Sequence, residues 1–301
     1  MAGPPIRASL APVSSGVVVL GMHRSGTSAA TRLVNLLGVP LAADDLLPAA
    51  FDNPSGHWES RTLVELNDRV LAARGLDWTC PDAFEPGWPD EPPVAALRPE
   101  AAASFERAVR TPRWVWKDPR NCLLLPFWTE ALDLDPLVVL VLRNPLEIVA
   151  SIEARDRFGR PYSIALWERY MRVCLRDLAG RRTIVTSYET LLEDPVAWCE
   201  GTARFLRGSA IPAAPATEAD VRSFVEPGLR HERSTWPELE ADPAFSEPQR
   251  VLARVLERTS GEHDAFTTPE LPPETATTEE LLGERRRALL EVRRAAMTSS
   301  S

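Results

Sequence analysis

Val17-Val18-Val19-Leu20-Gly21-Met22-His23-Arg24-Ser25-Gly26-Thr27-Ser28 decides how the rest of the chain is read. A β-branched apolar run ends in a glycine; five residues later a second glycine leads into Thr-Ser and a helical pattern. That order predicts a strand, a tight loop of phosphate size and a helix N-terminus. Backbone N–H groups converge on an anion there and the helix dipole adds to the attraction. The stretch nearly matches the phosphate-binding consensus G-x-x-x-x-G-K-[ST], but Thr27 stands where the lysine belongs. The missing lysine argues against hydrolysis of ATP or GTP.

Working outward, Val17–Gly21 reads as the first strand and Thr27–Leu37 as a helix ended near Gly38-Val39-Pro40. Residues 1–15 read as a loose leader and 41–58 as loop. Leu63, Leu66, Val70 and Leu71 have helical spacing within 60–74. Residues 75–98 are rich in Pro, Trp and acids, and are expected to form a mobile, semi-ordered loop covering a site. Arg113–Lys117 is a short strand and Leu123–Leu132 a helix. Leu137–Leu142 is the uninterrupted apolar strand of a parallel sheet covered on both faces. Helices over 145–154 and 162–178, a strand at Thr183–Ser187 and a helix over 195–206 follow. The alternation predicts an α/β class: a P-loop-like three-layer fold with a central parallel sheet flanked by helices. One domain over 16–265 is expected, then a linker at 266–276 and an amphipathic helix over 278–297. Its Leu282, Leu289, Val292 and Ala296 stripe fits packing on the domain or on a second copy of the chain, a homodimer contact.

Composition bounds the function. With 301 residues, 44% hydrophobic and 26% charged, the chain is an ordinary globular protein, and a net charge of −9 argues against a general nucleic-acid binder. No apolar run reaches the roughly 18–20 residues of a membrane span, and the stretch before Val17 is a poor signal peptide, so neither membrane nor nucleic acid is expected as partner, and a cytoplasmic location is. Cys80, Cys122, Cys174 and Cys199 lack metal-ligand spacing and read as reduced, buried thiols. Arginine and lysine total 34, and Lys117 is the sole lysine.

Four segments carry the chemistry: Gly21–Ser28; Trp116-Lys117-Asp118-Pro119-Arg120; Arg143-Asn144-Pro145 with Ser151; and Tyr188-Glu189-Thr190-Leu191-Leu192-Glu193-Asp194-Pro195. The first three place cations or hydroxyls at the carboxyl ends of parallel strands, where open α/β sheets bind ligands. Together they resemble the sulfotransferases that use 3′-phosphoadenosine 5′-phosphosulfate (PAPS). The phosphosulfate loop of that family reads P-[KR]-S-G-T-[TS], here His23-Arg24-Ser25-Gly26-Thr27-Ser28. Its 3′-phosphate motif, an Arg followed eight residues later by a Ser, is met by Arg143 and Ser151. Lys117-Asp118-Pro119 is closer to the tyrosylprotein and related bacterial members than to the animal cytosolic enzymes, whose histidine position is here Pro119. The resemblance covers roughly residues 15–235.

The resemblance implies in-line displacement at sulfur, from PAPS to a hydroxyl or amine of a small-molecule or carbohydrate acceptor, leaving adenosine 3′,5′-bisphosphate and requiring no metal. Arg24 and Lys117 would neutralise developing charge. The Ser25–Ser28 backbone, with Gly26 and the hydroxyls of Thr27 and Ser28, would hold the 5′-phosphate. Arg143 and Ser151 would hold the 3′-phosphate, joined by Arg230 and Arg233, and Tyr188 would lie near the adenine. His23 is counted with the donor loop, facing substrate or core. Glu59 is the first choice as general base and His57 its rival. Two other readings stay open: a nucleotide kinase-like phosphotransferase using Mg-ATP, and an inactive nucleotide-binding scaffold. Against the kinase, the apolar strand runs into Arg143 rather than the acid that would hold Mg²⁺.

Overall fold

The computed structural model describes residues 15–43, 45–49, 56–225 and 233–299. Five strands form one sheet: β1 (Ser15–Leu20), β2 (Arg113–Lys117), β3 (Leu137–Leu142), β4 (Thr183–Ser187) and β5 (Gly261–His263), in the order β2-β1-β3-β4-β5. The first four are parallel, and β5 is an antiparallel edge on β4. This is the expected α/β sheet, with one unforeseen strand. In chain order the helices are α1 (Thr27–Leu36), α2 (Arg61–Ala73), α3 (Pro92–Ala95), α4 (Arg98–Ala108), α5 (Asn121–Leu132), α6 (Pro145–Asp156), α7 (Arg160–Asp177), α8 (Tyr188–Glu193), α9 (Pro195–Gly208), α10 (Glu218–Phe224), α11 (Trp236–Ala241), α12 (Glu247–Arg258) and α13 (Ala276–Ser299).

Side chains alternate across a strand, and here the alternation divides the core in two. Val18, Leu20, Val138, Leu140, Trp114 and Trp116 face the layer with α2, α5 and α7. Val17, Val19, Val115, Val139 and Val141 face α1 and α9. Each such buried aliphatic side chain contributes about 1.5–3 kcal/mol. Local chemistry ends the elements where the site needs them. Asn144 caps α6, accepting from the Leu146 N–H at 3.0 Å, and Pro145 supplies a first-turn residue with no N–H to satisfy. The Ser187 side chain caps α8 directly after β4.

Two expectations change. Residues 75–98 are not a loose loop: Cys80, Phe84, Trp88 and Val94 are buried, and the segment holds a 3-10 turn at Trp88–Asp90 and α3. Helix α7 ties it down through backbone carbonyls. The Tyr170 hydroxyl donates to Trp78 O (2.9 Å), Arg169 to Pro81 O (3.1 Å), and Arg176 to Ala83 O (2.8 Å) and Phe84 O (2.7 Å). Arg74 lies over the rings of Phe84 and Trp88 while paired with Asp82 and Glu91. Buried carbonyls need donors, and arginines supply them.

Second, the 266–276 stretch is packed along the domain. Phe266 is buried and pairs with the 180–181 backbone at both its N–H and C=O (2.8 Å each), and Thr275 binds the buried Glu168 carboxylate. Leu282 of α13 is in the main core, whereas Val292 is 68% exposed. No helix among the described residues is long and apolar enough to cross a membrane.

Candidate functional site

The four parallel strands end side by side. β1 and β3 are central neighbours whose chains leave in opposite directions, to β2 on one side and β4 on the other, which creates a crevice at their carboxyl ends. The Gly21–Gly26 loop fills its floor. Gly26 has φ +91°, and a Cβ there would lie 2.2 Å from the Tyr188 ring, so only glycine allows that ring to sit on the loop. Arg24 takes φ +72°, a left-handed conformation that costs a non-glycine residue about 1 kcal/mol or more. The start of α1 carries no side-chain cap and no acid in its first turn, which leaves the positive end of the helix dipole open to an anion. The Ser25 N–H is not part of that anion site, because it donates to Met22 O at 3.1 Å. Ser25 Oγ is buried with no hydrogen-bond partner among the described residues. Thr27 is buried, and its Cγ2 would be 2.8 Å from a Gly21 Cβ.

Segments more than a hundred residues apart meet on this loop. Arg24 Nε donates to Ser151 Oγ at 2.8 Å, and Arg143 Nη1 donates to Arg24 O at 2.8 Å. Arg143 is paired with Glu147 (2.8 Å), one helical turn on and fully buried, and its guanidinium lies 5.0 Å from the Tyr188 ring centroid. Glu147 also accepts from the Ser234 N–H at 3.0 Å, tying the α6 start to the segment before α11. At the end of β2, buried Lys117 donates to Ser28 Oγ (3.2 Å) and forms an ion pair with Glu59. Ser28 Oγ donates to the carbonyl of His57 (3.3 Å), so in this contact His57 offers its backbone to the loop. Arg230 lies outside the described residues. Arg233 is exposed and makes no hydrogen bond with Arg143 or Ser151.

Behind Lys117, Asp118 is fully buried and accepts from Asn67 Nδ2 (2.8 Å), the Arg120 N–H (2.9 Å) and the Arg120 guanidinium (3.2 Å). Arg120 also binds Asp68 at 2.6 Å. Burial works against its charge, but Asp118 and Asp68 outweigh that and hold it firmly protonated. His23 is buried, its ring tilted 43° against that of Trp78 at 4.5 Å between centroids, with Nε2 unpartnered among the described residues. Its pKa is pushed well below the usual histidine value, first by burial and then by Arg120, Arg155, Lys117 and Arg24. It is neutral at pH 7. All four cysteines are free and buried, and burial raises the Cys80 thiol to about 11 and the Cys199 thiol to about 12. Beside Arg143, on the α7 and α12 side, a cavity of about 340 Å³ is lined by Ser25, Asn144, Trp167, Met171 and Trp236 among others.

Sequence reasoning missed Glu147 and Arg155, and singled out the segment holding Arg120 without its second carboxylate partner, Asp68. The i, i+4 spacing of Arg143 and Glu147 was a usable signal for the first. The other two required the three-dimensional contacts with Asp68 and Trp78.

No protein-family model matches this chain, and no curated protein matches it. Among solved structures it is similar to the sulfotransferase domain from the Synechococcus PCC 7002 olefin synthase, at 17% identity over 94% of this chain and 98% of that one, with a TM-score of 0.41. It is also similar to the sulfotransferase domain from the curacin biosynthetic pathway, at 13% identity over 91% and 98%, with a TM-score of 0.39.

Proposed function

We propose that this chain is a PAPS-dependent sulfotransferase acting on a hydroxyl or amine of a small-molecule or carbohydrate acceptor. One observation carries the reading: the loop Gly21–Ser28 and the Arg143/Ser151 pair meet, through the Arg24–Ser151 and Arg143–Arg24 hydrogen bonds, as two separate segments of one crevice. A donor with a 5′-phosphosulfate and a separate 3′-phosphate needs such a pair. The uncapped start of α1 and the unpartnered Ser25 Oγ fit the 5′ end, and the cavity beside Arg143 has room for part of the nucleoside.

The donor supplies an activated sulfuryl group. The residues do the rest by position and charge. The α1 N-terminus holds the 5′-phosphate, and Arg143 and Ser151 hold the 3′-phosphate. Arg24 and Lys117 neutralise the charge that builds as the acceptor oxygen bonds to sulfur and the bond to the phosphate oxygen breaks. Glu59, paired with Lys117, takes the acceptor proton. This favours Glu59 over His57, whose carbonyl is what meets Ser28.

Calorimetry separates this from the Mg-ATP phosphotransferase reading. Adenosine 3′,5′-bisphosphate is expected to bind with the same affinity with and without Mg²⁺, and more tightly than ATP. Preference for Mg-ATP would overturn the proposal.

A further inference from the structure

Helix α2 carries one residue that its own pattern does not call for. Leu63, Leu66, Val70 and Leu71 form its buried stripe, and Asn67 lies within that stripe, fully buried, where helical spacing suits an apolar side chain. A buried amide costs stability unless its donors and acceptor are paired. The Asn67 amide is paired on both sides. Trp128 Nε1 can only donate, and it gives its hydrogen to Asn67 Oδ1 at 2.7 Å, which fixes the way the amide faces. Nδ2 then spends its hydrogens on the turn after β2, donating to Asp118 Oδ2 (2.8 Å) and Asn121 Oδ1 (3.1 Å).

The turn so gripped begins at Lys117. Asp118 Oδ1 accepts from the Arg120 N–H (2.9 Å), and Asp118 O accepts from the Asn121 N–H (2.9 Å). Asp118 is therefore held at its carbonyl and at both carboxylate oxygens, and any shift of it carries its neighbour Lys117. Asp68, the residue after Asn67, holds Arg120 of the same turn. Helix α2 also bears on Lys117 from its other end. Its N-cap Ser60 directly follows Glu59, the ion-pair partner of Lys117. From Ser60 to Asn67 the helix rises about 10 Å. One rigid element thus carries both the acid that pairs with the amine and the amide that anchors the strand end bearing it.

We propose that Asn67 is a positioning residue for Lys117: through Asp118 and Asn121 it sets the turn between β2 and α5, and so places the Lys117 amine against Ser28 and Glu59. Trp128 orients the amide, and Asn67 holds the turn. The role of Lys117 in transfer rests on the sulfotransferase reading; the placement of its amine by Asn67 does not.

Lys117 is the sole lysine, so the full chain grown with lysine carrying ¹³C at Cε gives one labelled side chain to follow by NMR. Asn67→Leu suits the apolar stripe but removes both donors. Its Lys117 signal is expected to shift or split. Adenosine 3′,5′-bisphosphate affinity, measured by calorimetry, should stay within about twofold, as for sites that share no partner. Leu71→Ala opens a cavity in the same stripe, one turn on, and should leave the Lys117 signal in place. If Asn67→Leu does not fold, Asn67→Asp has the same shape, keeps an acceptor for Trp128 and loses at least one donor, and the same shift is expected. A Lys117 signal unmoved in both Asn67 variants, or moved as far by Leu71→Ala, would overturn the assignment. A loss of bisphosphate affinity of about tenfold or more would overturn it too, placing Asn67 with the donor site. Failure of the bisphosphate to bind the unsubstituted chain would overturn the sulfotransferase reading instead, and the NMR comparison would still decide what places the Lys117 amine.

Discussion

The rim of strand ends and the 75–98 segment that packs beside it are built by different rules. On the rim, Lys117 ends β2 while Arg143 and Tyr188 directly follow β3 and β4, and parallel register sets these strand ends side by side: Val19 pairs with Lys117, and Leu142 with Ser187. In the 75–98 segment, position comes from distant arginines and tyrosines of α7 donating to carbonyls. The rim is determined by hydrophobic pattern and motif. The cover is determined by backbone polar groups that must be satisfied when buried. Altering one is therefore expected to leave the other largely in place.

That separability can be broken or sharpened by mutation. The largest effect is expected at Lys117→Ala on the rim: sulfuryl transfer should fall by about 10²–10³-fold, as loss of a charge stabiliser does, while bisphosphate affinity falls less than about tenfold. Equal losses in both, measured by steady-state kinetics and calorimetry, would make Lys117 a binding residue only. Next is Glu59→Gln, expected to lower kcat by about 10²-fold, against His57→Gln within a few-fold. A larger loss in the His57 variant would reverse the choice of base.

Arg143→Ala should cost stability as well as binding, because it removes one partner of an ion pair with the fully buried Glu147; about 3 kcal/mol is the scale for breaking such a pair. Adding Glu147→Gln should recover part of this in chemical denaturation, and no recovery would mean that the pair is not what stabilises α6. On the cover, Arg176→Met removes the donor to Ala83 O and Phe84 O, and about 1–3 kcal/mol is expected. Limited proteolysis should then cut within 75–98 while bisphosphate binding persists. Loss of binding in that variant would show that cover and rim are one unit.

The smallest effect is a pH dependence. His23 is held neutral in the folded chain, its pKa well below the unfolded value of about 6.5. Below that pH the unfolded chain gains a proton that the folded chain refuses. Stability from this residue is therefore full above about pH 6.5 and is lost as pH falls towards the folded pKa. His23→Gln should flatten this part of a stability–pH curve; an unchanged curve would mean His23 titrates freely.

Much of this was legible in the sequence, for reasons visible in particular residues. Leu137–Leu142 and Thr183–Ser187 are observed with the bounds their apolar runs predict, and the Arg24, Lys117, Arg143 and Ser151 set converges because strand ends and loop motifs are local signals. β5 was not legible: three residues, two of them exposed, carry no pattern. The 75–98 segment reads as a loop because its order resides in residues 162–176. α4 escaped because only Ala101, Ser104 and Phe105 of its eleven residues are buried.

The central claim is that two anion-binding segments form a single site. Calorimetry of adenosine 3′,5′-bisphosphate against adenosine 5′-monophosphate, on the unsubstituted chain and on Ser151→Ala, tests it most directly. The account predicts that the 3′-phosphate improves affinity by at least about tenfold, the worth of one hydrogen bond to a charged group, and that Ser151→Ala removes much of that gain while leaving monophosphate binding unchanged. Equal affinity for the two nucleotides would contradict it.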